Sequence, residues 1–362
     1  MSSLRPLEIE MIRTDARKYN NRMRKAGKLH ELWDPDPKYQ LLQTKTANDW
    51  LKQEQGKPAA QMLFGSLWFE GELCILFADT NMGKSVLAVQ IGDLLTQGMS
   101  LQPLNNHLAK GAVVLYIDFE LSARQFEARY TNHVNGNYRF DNNFFRSEFN
   151  PLAYNPDFHR SYEEFLNAKI ERALIESGAR ILIIDNITYM RNGNQQARDA
   201  AQLMQDLKML KIKRDLSILV LAHTPKRNPY KPLTVNDLQG SKMLINFADS
   251  AFAIGQSHTR ADLRYLKQIK QRNQRLEYGE DNICLLKQEK QLNCLRFTFE
   301  GHAHERDHLL RTGTIDKEAQ KQQVMELHGK GRSLRQIAGE LSIPFTTVGW
   351  IIRQYKTDNE RH

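Results

Sequence analysis

Phe77-Ala78-Asp79-Thr80-Asn81-Met82-Gly83-Lys84-Ser85 joins two different periodicities, and its reading decides the fold. Before it, Glu72–Phe77 is a short apolar run bounded by Gly71, which suits a buried strand. After it, Ser85–Leu95 carries apolar residues at helical spacing. Between them lies A-x-x-x-x-G-K-S, the form of a phosphate-cradling turn. Backbone N–H groups from Asp79, Thr80, Asn81, Met82, Gly83, Lys84, Ser85 and Val86 wrap the phosphates, and Gly83 permits close approach. Lys84 reaches the β- and γ-phosphates, Ser85 binds magnesium, and the helix N-terminus adds a favourable dipole. The first position of the strict pattern is Gly; here it is Ala78, the next smallest residue.

At 362 residues the chain accommodates one large core and a small second domain. It is 41% hydrophobic and 26% charged, as a globular protein is, and no run of about 18 apolar residues is present to cross a membrane. Its start lacks an apolar signal region, and Cys74, Cys284 and Cys294 do not form a disulfide framework. The expected location is therefore cytoplasmic. A net charge of +9 permits a polyanionic partner.

Residues 1–58 read as a basic helical segment. From Glu8 to Leu32 many Lys and Arg residues surround a narrow stripe of Ile12, Ala16, Tyr19, Met23 and Ala26, ended by Asp34-Pro35-Asp36-Pro37. Three readings stay open for it: nucleic-acid contact, docking on a neighbouring subunit, and packing on its own core. Thr46 to Asp49 reads as a cap opening a short helix. Residues 59–300 then alternate between strand and helix. Ala112–Phe119, Arg180–Ile184 and Leu216–Leu221 are further buried strands, and Ser161–Glu176 and Ala197–Arg214 are helices. A polar stretch from Asn132 to Asn155 carries no clear assignment. Beyond Ser250 the pattern changes to short strands with turns. The fold expected is α/β, an open and mostly parallel sheet with helices on both faces and an antiparallel extension.

In a parallel sheet the strand ends gather on one edge. Glu120, Asp185 and His223 each follow a predicted strand, so they meet the phosphate turn there. Asp185 suits a carboxylate assisting magnesium. The residue after it is Asn186, so a water-activating carboxylate must come from elsewhere. Glu120 is preferred because it is nearer the strand end, and Asp118 is the alternative.

Taken together, A-x4-G-K-S, the strand ending Asp118-Phe119-Glu120, Ile183-Ile184-Asp185, Ala222-His223-Thr224 and the late Lys270-Gln271-Arg272-Asn273 resemble the RecA-like P-loop ATPases. Among these they are most similar to RepA-type plasmid helicases and DnaB-type replicative helicases, over roughly Leu63 to Glu300. The resemblance implies ATP and Mg2+ as cofactors and Glu120 as catalytic base. It implies His223 as γ-phosphate sensor, and Lys270 with Arg272 acting on the nucleotide of an adjacent subunit. It also implies a homo-oligomeric ring, a hexamer, with Lys226 and Arg227 of the loop after His223 facing single-stranded DNA in its channel. A solvated surface loop is the other reading of that stretch. No large DnaB-like N-terminal helical domain is present.

Residues 301–315 read as a linker carrying His302, His304 and His308, and residues 316–362 as three short helices. The last two resemble the helix-turn-helix of resolvases, which implies a duplex-DNA partner read by Thr346 and Thr347 and held by Arg353 and Lys356. A protein-binding helical unit is the alternative. The function expected is an ATP-hydrolysing motor on DNA, a helicase for replication or mobilisation of a mobile element. A DNA-binding regulator using ATP as an assembly switch and a recombinase filament are the other two classes.

Overall fold

The computed structural model describes Lys18 and residues 42–359, apart from 133, 135, 155–161, 188–195, 226, 239–240, 311–313 and 342. The expected basic helix Glu8–Leu32 and its Asp-Pro terminator thus lie outside the described residues. Two compact units divide the chain, Met1–Ala59 and Ala60–His362. In the first, α1 (Ala47–Glu54) opens as its sequence signals, with the Thr46 hydroxyl accepting from the Asp49 amide at 3.1 Å.

The second unit is built on a sheet whose strands are β1 (Leu73–Ala78), β2 (Val114–Asp118), β5 (Phe144–Glu148), β6 (Ile181–Asp185), β7 (Ser217–His223), β8 (Ser250–Gln256), β9 (Leu263–Gln271), β10 (Ile283–Gln291) and β11 (Cys294–Ala303). A small separate hairpin pairs β3 (Thr131–Asn132) with β4 (Gly136–Asn137). The sheet order is β11-β10-β9-β8-β1-β7-β6-β2-β5. The strands from β8 across to β5 run parallel, and β9, β10 and β11 extend the sheet antiparallel. This is the α/β fold of a RecA-like ATPase. Period-two alternation explains why β1 must be wholly apolar. Leu73, Ile75 and Phe77 enter one core, while Cys74, Leu76 and Ala78 enter the core on the other face. Helix α2 (Lys84–Gln97) fills the second core, and α4 (Tyr162–Ser177), α5 (Gln196–Arg214) and α6 (Ser241–Phe247) serve the first.

The unassigned polar stretch holds the edge strand β5. Its exposure pattern is mixed, which hides it from a search for buried runs, and Arg146 on it secures the edge. The Arg146 guanidinium bonds the wholly buried Asp118 carboxylate at 3.0 Å, and Asp118 also accepts from the amides of Glu120 and Leu121. Arg146→Met should strand that buried charge and cost about 3–5 kcal/mol, read as a lower midpoint in denaturant unfolding. A loss under 1 kcal/mol would mean the pair contributes little.

The linker expectation for residues 301–315 needs correction. β11 runs to Ala303, and a 3-10 turn at Glu305–Asp307 buries Glu305 completely against Lys267, whose Nζ lies 2.5 Å from its carboxylate. The Leu233 amide donates to the same carboxylate at 2.7 Å, so this segment belongs to the ATPase core. The three histidines are placed by other groups. His302 stacks on Tyr278, His304 meets Asp281, and His308 bonds Ser257. Among the described residues no group of three or more His, Cys, Asp or Glu side chains is placed to hold a metal ion, so these histidines form no metal site.

The C-terminal helical region comprises α7 (Thr314–Gly329), α8 (Leu334–Glu340) and α9 (Phe345–Asn359). Val324, Ile337, Val348, Ile351 and Ile352 form its own apolar centre, with Ala338, Leu341 and Ile343 against it. Ser333 and Gln336 cap α8 reciprocally. Among the described residues no helix is long and apolar enough to cross a membrane.

Candidate active site

Ala78 is the last residue of β1, hydrogen-bonded between β7 and β8 and fully buried. Its methyl fills a core position, which is why Ala serves where the strict pattern has Gly. Gly83 is different. It has φ of 89°, and a Cβ there would meet the Phe297 ring at 2.6 Å. Only glycine allows the turn to enter α2 at this point.

Lys84 is buried and folds back over the turn. Its Nζ donates to the carbonyls of Ala78 and Asp79, each at 2.9 Å, and to His223 Nδ1 at 3.2 Å. An ammonium can only donate, so Nδ1 accepts and the ring proton sits on Nε2. Nε2 then donates to Glu120 Oε1 at 3.1 Å. The Asn186 side-chain amide donates to the same carboxylate oxygen, which joins it to the network through Glu120. Lys84, His223, Asn186 and Glu120 therefore form one connected polar network across the ends of β1, β7, β6 and β2. Its electrostatics are consistent with that wiring. The His223 hydrogen bond holds the Glu120 carboxyl below its ordinary value, outweighing partial burial. Burial lowers the Lys84 ammonium, against the pull of Asp185 and Glu120.

Asp185 is buried beneath this network and accepts from the Tyr116 hydroxyl at 2.6 Å. Burial pushes its carboxyl up to about 6, partly offset by the Ser85 and Tyr116 hydroxyls. Its Oδ1 is buried with no hydrogen-bond partner among the described residues. An orphaned carboxylate oxygen beside the Ser85 hydroxyl is a hard-oxygen donor set that fits magnesium. A cavity of about 220 Å³ opens here, lined by Thr80, Asn81 and Gly83 to Val86 together with Glu120, Arg129, His223, Gln288 and Leu295.

Sequence reasoning brings Lys84, Glu120, Asp185 and His223 to one place. Asp118, the alternative base, is excluded by geometry, because Arg146 and two backbone amides occupy its carboxylate. Two partners are not legible in the sequence. Asn186 reads there only as a residue that is not Glu. Arg129, at the end of α3 (Ala123–Arg129), reaches the cavity with a buried Nη1 that has no partner among the described residues. Its spacing of nine from Glu120 carries no signal without knowing that α3 turns back over the cavity.

The remaining candidates lie apart from this network. Lys270 and Arg272 stand at the start of the parallel strands, the opposite edge, since β9 runs antiparallel to β8. Lys270 Nζ caps α6 through the carbonyls of Ile245 and Ala248, and Arg272 bonds Asn246 O and Asp249. Arg227 bends back to the Lys231 carbonyl, with its Nε buried, so it is not simply a cation offered to solvent. Lys226 lies outside the described residues, as does the side chain of Lys356. Thr346 and Arg353 are exposed on α9 and Thr347 is half-buried.

A turn of Gly-Lys-Ser opening a helix, with carboxylates and a histidine at adjacent parallel strand ends, defines a P-loop nucleotide-hydrolysing site. A family model described as an AAA domain matches residues 36–229, more than half of the chain, and the chain belongs to that family. The match covers Lys84, Glu120, Asp185 and His223 but stops before β8. No curated protein matches the chain.

Proposed function

We propose that the chain is an ATP-hydrolysing motor on DNA, a RepA/DnaB-like helicase or helicase-like protein that assembles as a homo-hexamer. The supporting observation is the continuity of His223 with the loop at 224–238. One ring nitrogen of His223 reads Lys84, the other reads Glu120, and the next residues enter that loop, where Lys231 is exposed. A change at the γ-phosphate position is thereby next to a surface able to track a polyanion. In hydrolysis the Thr80–Ser85 amides and Lys84 hold the phosphates in line. Glu120 takes the proton from the attacking water, and His223 and Asn186 orient its carboxylate for that transfer. Ser85 and Asp185 would hold magnesium, which neutralises phosphate charge when bound. In a ring, Arg272 would have to exchange Asp249 for a neighbour's phosphate.

A regulatory reading, with ATP as an assembly switch and no unwinding, draws on the outer face of α9. Thr346, Trp350 and Arg353 are all exposed on the side away from Val348 and Ile351. That face has the residue types for reading a duplex. One experiment separates the two: ATP turnover by the full chain alone, with single-stranded and with duplex oligonucleotides. A motor is expected to turn over about tenfold faster with single strands. Duplex binding that Thr346→Ala with Thr347→Ala weakens, with turnover indifferent to any DNA, would favour the switch and sink the motor.

A further inference from the structure

The two carboxylate oxygens of Asp185 stand in different surroundings. Oδ2 accepts from the Tyr116 hydroxyl at 2.6 Å, and Oδ1 is buried with no hydrogen-bond partner among the described residues. Tyr116 and Asp185 are both buried. A carboxylate can only accept, so the tyrosine is the donor. A short bond to a charged acceptor is of the stronger kind, and it fixes the carboxylate against rotation. Oδ1 is then the oxygen left for a cation, together with the Ser85 hydroxyl that acts on the same carboxylate.

Tyr116 reaches Asp185 through strand register. β2 and β6 pair with Tyr116 beside Ile183 and Asp118 beside Asp185. Tyr116 and Asp118 share a face of β2, and the length of a tyrosine spans from one level to the next. Asp118 stands at that level too, but Arg146 and two backbone amides occupy its carboxylate. The Tyr116 ring is held as well. It stacks on Phe144 with centroids 6.2 Å apart, and α2 passes so close that a Cβ on Gly92 would stand 2.5 Å from the Phe144 ring.

We propose that Tyr116 is a positioning residue for magnesium, which holds Asp185 with Oδ1 free for the ion and so sets the metal affinity of the site. The proposal rests on the reading of Ser85 and Asp185 as the magnesium donors. Without the hydroxyl the carboxylate regains rotation, and Oδ2 becomes a second buried oxygen without a partner. The orientation that the fold supplies in advance would then have to be supplied when the ion binds. Groups that orient a metal ligand in this way typically contribute about 10–100-fold in metal affinity. Phosphate binding without metal should not depend on Tyr116, because Lys84 is aimed by Ala78, Asp79 and His223.

The test follows binding of a fluorescent ATP analogue to the full-length chain, across a magnesium titration and in excess chelator. Tyr116→Phe keeps the ring and removes only the hydroxyl. Its affinity in chelator should stay within about twofold of wild type, while its magnesium midpoint should rise about tenfold or more. Asp185→Asn should also raise the midpoint. Adding Tyr116→Phe to Asp185→Asn should then move it by less than about twofold, since both act through one carboxylate. That second comparison leaves no unpaired buried charge, so it tests the proposal even where Tyr116→Phe alone is unstable. An unchanged midpoint in Tyr116→Phe would overturn the proposal. So would equal weakening with and without magnesium, which is the mark of a merely structural hydroxyl, or additive effects in the double variant. Wild-type binding that magnesium does not strengthen, or a midpoint that Asp185→Asn leaves in place, would overturn the reading of the magnesium donors and the proposal with it.

Discussion

Lys84→Ala is expected to lose nucleotide affinity by about 100-fold or more and to show no measurable turnover. The Lys84 ammonium is buried and already aimed along the turn by two carbonyls and His223. A bound phosphate would replace neutral partners with a charged one, and charge-assisted bonds contribute about 1.5–3 kcal/mol each. Two such bonds account for a factor of about 140 to 20,000. The fold should survive, because the ladder of β1 is made with β7 and β8, and Lys84 adds only a side-chain bond to the carbonyl of its last residue, Ala78. Equilibrium binding of a fluorescent ATP analogue, beside a far-ultraviolet dichroism spectrum, checks both parts. Wild-type affinity in a folded variant would remove Lys84 from the phosphate site.

Glu120→Gln should separate binding from chemistry. Glutamine retains an oxygen that can accept from His223 and Asn186, so the network and the turn stay in place. What disappears is basicity. General-base assistance contributes about 10²–10⁴-fold, so single-turnover hydrolysis should fall by that factor while ATP affinity changes less than about threefold. Asp118→Asn is the contrast. Its carboxylate neutralises Arg146 and receives two backbone amides, so its loss should lower thermal stability and not act on the chemical step selectively. Hydrolysis at the wild-type rate by Glu120→Gln would take the base role from Glu120.

How far the sequence alone reaches is clear from particular residues. The turn at Asp79–Ser85, the parallel strands and the antiparallel extension were legible because each depends on local periodicity or on a glycine with positive φ. The gathering of Glu120, Asp185 and His223 was also legible, since parallel strands put their carboxyl ends on one edge whatever the side chains do. The edge strand β5 was not. It is buried by only one neighbour, so its pattern mixes polar and apolar residues like a loop.

Tertiary structure alone decided the rest, because each case turns on a partner distant in sequence. Asp118 and Glu120 are two residues apart with the same functional group. Arg146 from an unpredicted strand occupies one, and His223 holds the other at the wall of the cavity. Lys270 and Arg272 are basic wherever they fall, and only the antiparallel direction of β9 places them at the edge away from the turn. Glu305 reads as linker until Lys267 and the Leu233 amide neutralise it in the core. Residue type and spacing specify which chemistry is present. The register of strands far apart in the chain specifies which groups meet, since a carboxylate or a cation takes its role from whichever charge the fold sets against it.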